Sequence, residues 1–269
     1  MTFLEKLDAA VGKNNSLLCV GLDPDHTRLP AGLNQFEFNK AIIDATADLV
    51  CAFKPNPAFY EALGSEGIGY LEQTCAYIKT NHPDIPIIFD FKRGDIGNTN
   101  NAYAEFAFDR LHADAVTLHT YLGQEAIQTF LDYQDKGIFL MVRTSNPGAG
   151  EFQDLKLEGT PLYQHVAQEI VDKWNANANC MFIVGATYPE EAKILRRIAG
   201  NTMPFLMPGL GAQGADAEAA VKGGLTTTGK GLVINASRDI IFASAEQDFA
   251  DVARQKATEL RDQINSYRS

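Results

Sequence analysis

The chain has 269 residues, 45% of them hydrophobic, with a formal net charge of -11 and a sequence pI of about 4.9. That length suits one large α/β domain, and the acidic balance argues against a nucleic-acid partner, which needs clustered Lys and Arg. No apolar run reaches the ~18 residues of a membrane span, and the opening MTFLEKLDAAVGKNN lacks the basic-then-apolar order of a signal peptide, so the chain is read as cytosolic.

Eight short runs rich in β-branched and aromatic residues recur along the chain, each followed by a Gly, Pro, Asn or Asp cluster. In order they are SLLCVG at 16–21, LVCAFK at 49–54, IPIIFDF at 85–91, AVTLHTY at 115–121, IFLMVRT at 138–144, MFIVGA at 181–186, PFLMPG at 204–209 and GLVINA at 231–236. Such runs predict strands, and their near-continuous apolarity suits parallel strands buried on both faces. Residues 36–49, 68–80, 102–111, 161–175 and 189–198 carry apolar residues three and four apart, and 247–267 closes the chain in the same way. That spacing predicts helices laid against a sheet. Strand-helix units in this number either close into a barrel or lie open as a doubly wound sheet. An open sheet for dinucleotides carries GxGxxG after its first strand, whereas this chain reads VGLDPDH there. The expected fold is therefore α/β, a (β/α)8 TIM barrel, in a single domain over residues 1–269; no linker-like segment divides it.

The longest connection without periodicity, SNPGAGEFQDLKLEG at 145–159, follows the fifth strand and is read as a functional lid. Cys19, Cys51, Cys75 and Cys180 are far apart with no CxxC spacing, the pattern of buried reduced thiols. Trp174 is read as packing. His26, His82, His112 and His165 are read as surface or loop residues, while His119 either lines a site or caps the core.

Barrel chemistry gathers at the C-terminal ends of the strands. Those ends carry Asp23, Lys54, Asp90 with Lys92, His119 with Thr120, Arg143 with Ser145, then PGLGAQGAD and NASRD. Side chains alternate along a strand, so Ile88, Asp90 and Lys92 share one face, and Phe89 and Phe91 the other. With the phenylalanines packed outward on helices, Asp90 and Lys92 face the barrel mouth and Asp95 follows in the loop. A plain structural ion pair is the simplest account of an Asp-x-Lys. Two inward charges at the end of an apolar strand, however, carry a desolvation cost that calls for further partners. Lys54, one strand away, is the expected partner of Asp90, in an array of Lys54, Asp90, Lys92 and a second aspartate. At the seventh and eighth strand ends, GLGAQG at 209–214 offers backbone N–H groups and Arg238 a guanidinium, a combination suited to phosphate.

These residues carry a resemblance. DFKRGDI followed by GNTN is similar to the DxKxxDI..TN signature of the orotidine 5'-phosphate decarboxylase family, and the similarity extends over nearly the whole chain. Asp23 in VGLDPD, Lys54 in FKPN, Ser145 in TSNPG, Pro208 and Gln213 in PGLGAQG, and Arg238 in NASRD fall in the family's order. Chain length, FKPNPAFYE and the long fifth loop resemble its longer bacterial subgroup. The resemblance implies decarboxylation of orotidine 5'-phosphate to UMP and CO2 without metal or organic cofactor. It implies that Asp23 and Lys54 hold ribose hydroxyls, Gln213 and Arg238 the phosphate, and Ser145 the pyrimidine, with Pro208 also in the substrate site. Asp90 would lie near the leaving carboxylate and Lys92 would deliver the proton to C6. Asp95, Ile96 and Thr99 would complete the site of the partner in a homodimer.

Two rivals stand beside this. A relative on the same barrel keeps the Asp-x-Lys-x-x-Asp core and works on sugar phosphates through a metal-held enediolate, but Lys54 occupies the second strand end where another carboxylate would help. A non-catalytic phosphate sensor is the other, since fold does not fix function; a lysine held between acids gives a sensor no evident advantage.

Overall fold

The computed structural model describes residues 1–209 and 217–268. Eight parallel strands surround the core: β1 (Leu18–Leu22), β2 (Ala52–Pro55), β3 (Ile88–Arg93), β4 (Ala115–Leu118), β5 (Gly137–Arg143), β8 (Cys180–Val184), β9 (Phe205–Pro208) and β10 (Leu232–Ala236). Two short strands, β6 (Lys156–Leu157) and β7 (Thr160–Pro161), form an antiparallel hairpin outside this sheet. The sheet order is β2-β1-β10-β9-β8-β5-β4-β3. Its two ends meet at a parallel bridge between Phe53 and Ile87, with the Phe53 N–H donating to Pro86 O at 3.0 Å, and so the barrel closes. Each of the eight expected strands is present, with bounds shifted by one to three residues at most ends.

Alternation along β3 sends its two phenylalanines outward, as expected. Phe89 packs outward against Phe106, with ring centroids 6.1 Å apart, and Phe91 against Tyr103 at 6.3 Å and Phe130 at 6.1 Å. The buried aliphatic and aromatic residues of all eight strands join one continuous core. All four cysteines are free and buried; burial pushes the thiols of Cys51, Cys75 and Cys180 up to about 12, so they stay protonated.

A helix at Phe3–Asn14 was not among the expected ones, although its start is legible: Thr2 and Glu5 form a reciprocal capping box. It lies at the N-terminal end of the barrel, where Phe3 meets Phe139 edge-on at 5.7 Å. Gly137 makes room for it, because a Cβ there would sit 2.4 Å from the Phe3 ring. At the same end Asp114 accepts from Lys6, Lys79 and the Ile87 N–H, tying two helices to the starts of β3 and β4.

Two helical expectations need correction. The stretch expected as a helix at 102–111 is α-helical over Thr99–Ala104 and then π-helical over Glu105–Arg110, and that at 161–175 is α-helical over Leu162–Glu169 and π-helical over Ile170–Trp174. The Leu111 N–H bonds Phe106 O and the Asn175 N–H bonds Ile170 O, both spaced five residues. Apolar spacing of three and four does not separate that pattern from an ordinary α-turn. The connection at 145–159 is also built rather than irregular: a 3-10 turn at Pro147–Ala149, a helical turn at Gly150–Gln153, then the hairpin. Its base is held by Arg143, which is buried, pairs with Asp154 at 2.9 Å and stacks over Tyr188 at 4.2 Å.

Candidate active site

Lys54 and Asp90 lie on neighbouring strands, and barrel closure between β2 and β3 brings them into contact. Lys54 Nζ lies 2.8 Å from Asp90 Oδ2, and Lys92 Nζ lies 2.6 Å from Asp90 Oδ1. Lys54 and Asp90 are buried, whereas the Lys92 side chain is 46% exposed at the mouth. Burial by itself would drive Asp90 toward the neutral acid, but the ammoniums of Lys54 and Lys92 overcome it and hold the carboxyl well below the usual carboxylate range. Burial likewise works against the Lys54 ammonium. Asp90, and after it Asp23, outweigh that and raise Lys54 above the usual lysine range. The array is thus ionised because each buried charge has a counter-charge, and removing one partner would strand another.

Lys92 does not reach this position by plain strand alternation. Its φ is 45°, in the left-handed region that residues with side chains seldom enter, and the β3/β4 register shifts between Phe89 and Arg93. Such a bulge re-aims a side chain. Thr117 of β4, fully buried, accepts the Lys92 N–H at 3.0 Å and donates to Asp90 Oδ1 at 2.9 Å. The only trace of this in the sequence is one Thr in the apolar run AVTL, a residue type ordinary in a strand.

A cavity of about 220 Å³ opens beside the array, lined by Asp23, Lys54, Asn56 and Asp90 on one side. Pro208, Gly209, Asn235, Ser237 and Arg238 line the other. Ser237 Oγ donates to Asp23 Oδ2 at 2.7 Å, a contact that Gly21 permits, because a Cβ at 21 would come within 2.8 Å of the Ser237 Cβ. Arg238 is exposed at the first position of the short helix Arg238–Ile241 and makes no ion pair among the described residues. A carboxylate and an ammonium thus share one cavity with a guanidinium, a set of groups suited to the hydroxyls and phosphate of a sugar phosphate.

The profile described as "Orotidine 5'-phosphate decarboxylase / HUMPS family" matches residues 16–251. Proteins named orotidine 5'-phosphate decarboxylase from Cellvibrio japonicus and Ralstonia nicotianae are 51% and 50% identical to it, each over 100% of both chains. Among solved structures, an OMP decarboxylase of Leishmania donovani superposes with a TM-score of 0.87 at 35% identity, covering 100% of this chain and 99% of its own. The chain belongs to the orotidine 5'-phosphate decarboxylase family.

Asp95, Ile96 and Thr99 do not line the cavity of their own chain. Asp95 Oδ1 accepts the Ile96 N–H at 2.7 Å, and buried Asn100 bonds the Asp95 backbone in both directions, so the loop is fixed from below. Ile96 is 65% exposed and Thr99 begins its helix on the surface. The second aspartate near Lys54 within one chain is accordingly Asp23, while Asp95 makes no ion pair with the array among the described residues. Ser145 follows β5 and is half-buried outside the cavity lining. Gln213, together with most of the GLGAQG stretch expected to hold phosphate, lies outside the described residues. His119 resolves toward a structural role: its Nε2 lies 2.8 Å from Gly94 O, a distance that an N–H donor satisfies, and it thereby braces the loop after β3. Asn56, Asn235 and Ser237 were not singled out from sequence, although all three lie in or beside the quoted FKPN and NASRD.

Proposed function

We infer that this chain decarboxylates orotidine 5'-phosphate to UMP and CO2, which makes it a carboxy-lyase of pyrimidine biosynthesis. Identity of about one half along the entire length to proteins of that name carries the reading. It also favours decarboxylation over the rival metal-held sugar-phosphate chemistry on the same barrel. The geometry agrees with it: both Asp90 oxygens are already taken by ammoniums, which leaves that carboxylate poorly suited to ligate a metal.

The proposed chemistry starts from the bond between C6 and the carboxylate. When it breaks, CO2 leaves and the electron pair stays on C6, where no neighbouring carbonyl can take it up by simple conjugation. The Lys92 ammonium stabilises that centre and gives it a proton. Its partial exposure lets water restore the proton afterwards. Repulsion of the substrate carboxylate by Asp90 cannot supply the rate: two charges ~4 Å apart at an effective dielectric near 20 interact by roughly 4 kcal/mol, against an enzymatic barrier reduction of ~8 to 23 kcal/mol. Asp90 is moreover offset by two ammoniums, which weakens the repulsion further. Its proposed task is to hold Lys92 and Lys54. Asp23 and Lys54 would bind ribose hydroxyls, Arg238 with Gln213 the phosphate beside Pro208, and Ser145 the pyrimidine. Binding energy from those remote groups would be spent in the transition state. We further propose one catalytic domain acting in a homodimer, with Asp95, Ile96 and Thr99 reaching the partner's cavity, no metal or organic cofactor, and a cytosolic location. Among the described residues no helix is long and apolar enough to cross a membrane.

The test is to mix the protein with orotidine 5'-phosphate in the presence of a strong chelator and follow the orotate ultraviolet band. Its loss is expected; a persistent band overturns the reading. Lys92→Ala should abolish turnover while UMP still binds, and an active variant would remove Lys92 from the role of proton donor.

A further inference from the structure

We propose that Thr117 is a positioning residue for the reaction, holding Lys92 at both of its ends; this rests on Lys92 being the proton donor. The Thr117 hydroxyl is fully buried and takes part in two hydrogen bonds, accepting the Lys92 N–H at 3.0 Å and donating to Asp90 Oδ1 at 2.9 Å. A hydroxyl has one proton and an amide N–H can only donate, so the direction of both bonds is fixed. The same Asp90 oxygen receives Lys92 Nζ at 2.6 Å. Thr117 therefore secures the Lys92 backbone directly and its ammonium through the shared carboxylate.

The backbone needs that hold. Lys92 has a φ of 45° where β3 loses register with β4. Residues in such conformations persist only when their surroundings over-determine them. In a regular parallel ladder the acceptor would be a backbone carbonyl of the neighbouring strand. Here it is a side chain of that strand, and the same side chain belongs to the charged array. Geometry at the bulge and geometry of the ammonium are thus set by one hydroxyl, which Thr supplies with its χ1 restricted by branching.

Thr117→Val keeps the shape and removes both bonds. A misplacement of about 1 Å in a catalytic group costs on the order of 100-fold, so kcat should fall about 10- to 100-fold. KM and the dissociation constant of UMP should change by less than about threefold, because Thr117 does not line the cavity. Thr117→Ser, which restores the hydroxyl, should recover most of the lost rate. A purely structural threonine would show the reverse split: lower thermal stability with kcat of the folded protein preserved. A Val variant whose kcat stays within about threefold of the parent, or a Ser variant no faster than Val, overturns the proposal. Should Val not fold, Thr117→Ala against Thr117→Ser makes the same comparison. An inactive Lys92→Ala beside a fully active Thr117→Val rejects this proposal alone, whereas an active Lys92→Ala rejects the reading beneath it.

Discussion

Asp90 carries more of the site than any other single residue, because two lysines and a threonine converge on its two oxygens. Its folded-state pKa is depressed, so its pairing contributes stability above the ordinary carboxylate range and loses it only as pH falls through the lower folded value. Lys54 is raised, so its contribution is complete below the ordinary lysine range and is lost only as pH climbs past the higher folded value. The pair should therefore stay intact across the whole neutral window. Asp90→Asn breaks it and leaves Lys54 charged and buried, a change that costs roughly 3–5 kcal/mol for buried pairs. Denaturant unfolding of the variant should show that loss at neutral pH. Its stability should then rise toward mildly alkaline pH as the unpaired lysine gives up its proton, while the parent's does not. A flat profile in Asp90→Asn would mean that Asp23 alone suffices to keep Lys54 charged.

Elements on the far side of the barrel are held by one residue of the helix Pro189–Ala199. The Arg196 guanidinium donates to the carbonyls of Gly200, Met203, Gly224 and Gly231 and stacks 3.7 Å over the Phe205 ring. Burial brings its guanidinium down to about 10, which leaves it charged at neutral pH. Those carbonyls lie at the N-terminal approaches to β9 and β10, away from the catalytic end. Arg196→Met keeps most of the apolar stem but leaves carbonyls unsatisfied, at about 1–3 kcal/mol for each one that water does not reach. Thermal unfolding should show a clear loss, with kcat at room temperature unchanged; a fall in kcat without a fall in melting temperature would contradict this division of the barrel. The mixed α and π turns after β3 and before β8 belong to the same scale. Tertiary packing chose their hydrogen-bond spacing, which local apolar periodicity did not specify.

For the whole molecule, the proposed dimer makes a sharp prediction. Asp95 and Lys92 lie three residues apart in sequence, yet Asp95 makes no ion pair with the array of its own chain among the described residues. With Asp95 serving the partner's cavity, Lys92→Ala and Asp95→Ala are each inactive alone but complement each other. A mixed dimer has one site with both defects and one with neither, so random mixing should restore about a quarter of the parent activity. Two inactive variants that stay inactive after subunit exchange would place Asp95 in its own chain's chemistry.

Sequence by itself determined the eight strands, the closed barrel class and the positions of Asp23, Lys54, Asp90, Lys92 and Arg238 at strand ends. The reason is that burial on both faces writes apolar runs, and a charge at the end of such a run stands out. It did not determine the π turns, the built connection after β5, or the part played by Thr117, whose type is ordinary in a strand. Only tertiary structure decided these, because contacts between residues far apart in sequence select among local conformations that the residues permit equally. Lys92 shows the difference. Strand alternation predicts it beside Asp90, but a bulge in left-handed backbone, held by a hydroxyl from the next strand, is what places it there.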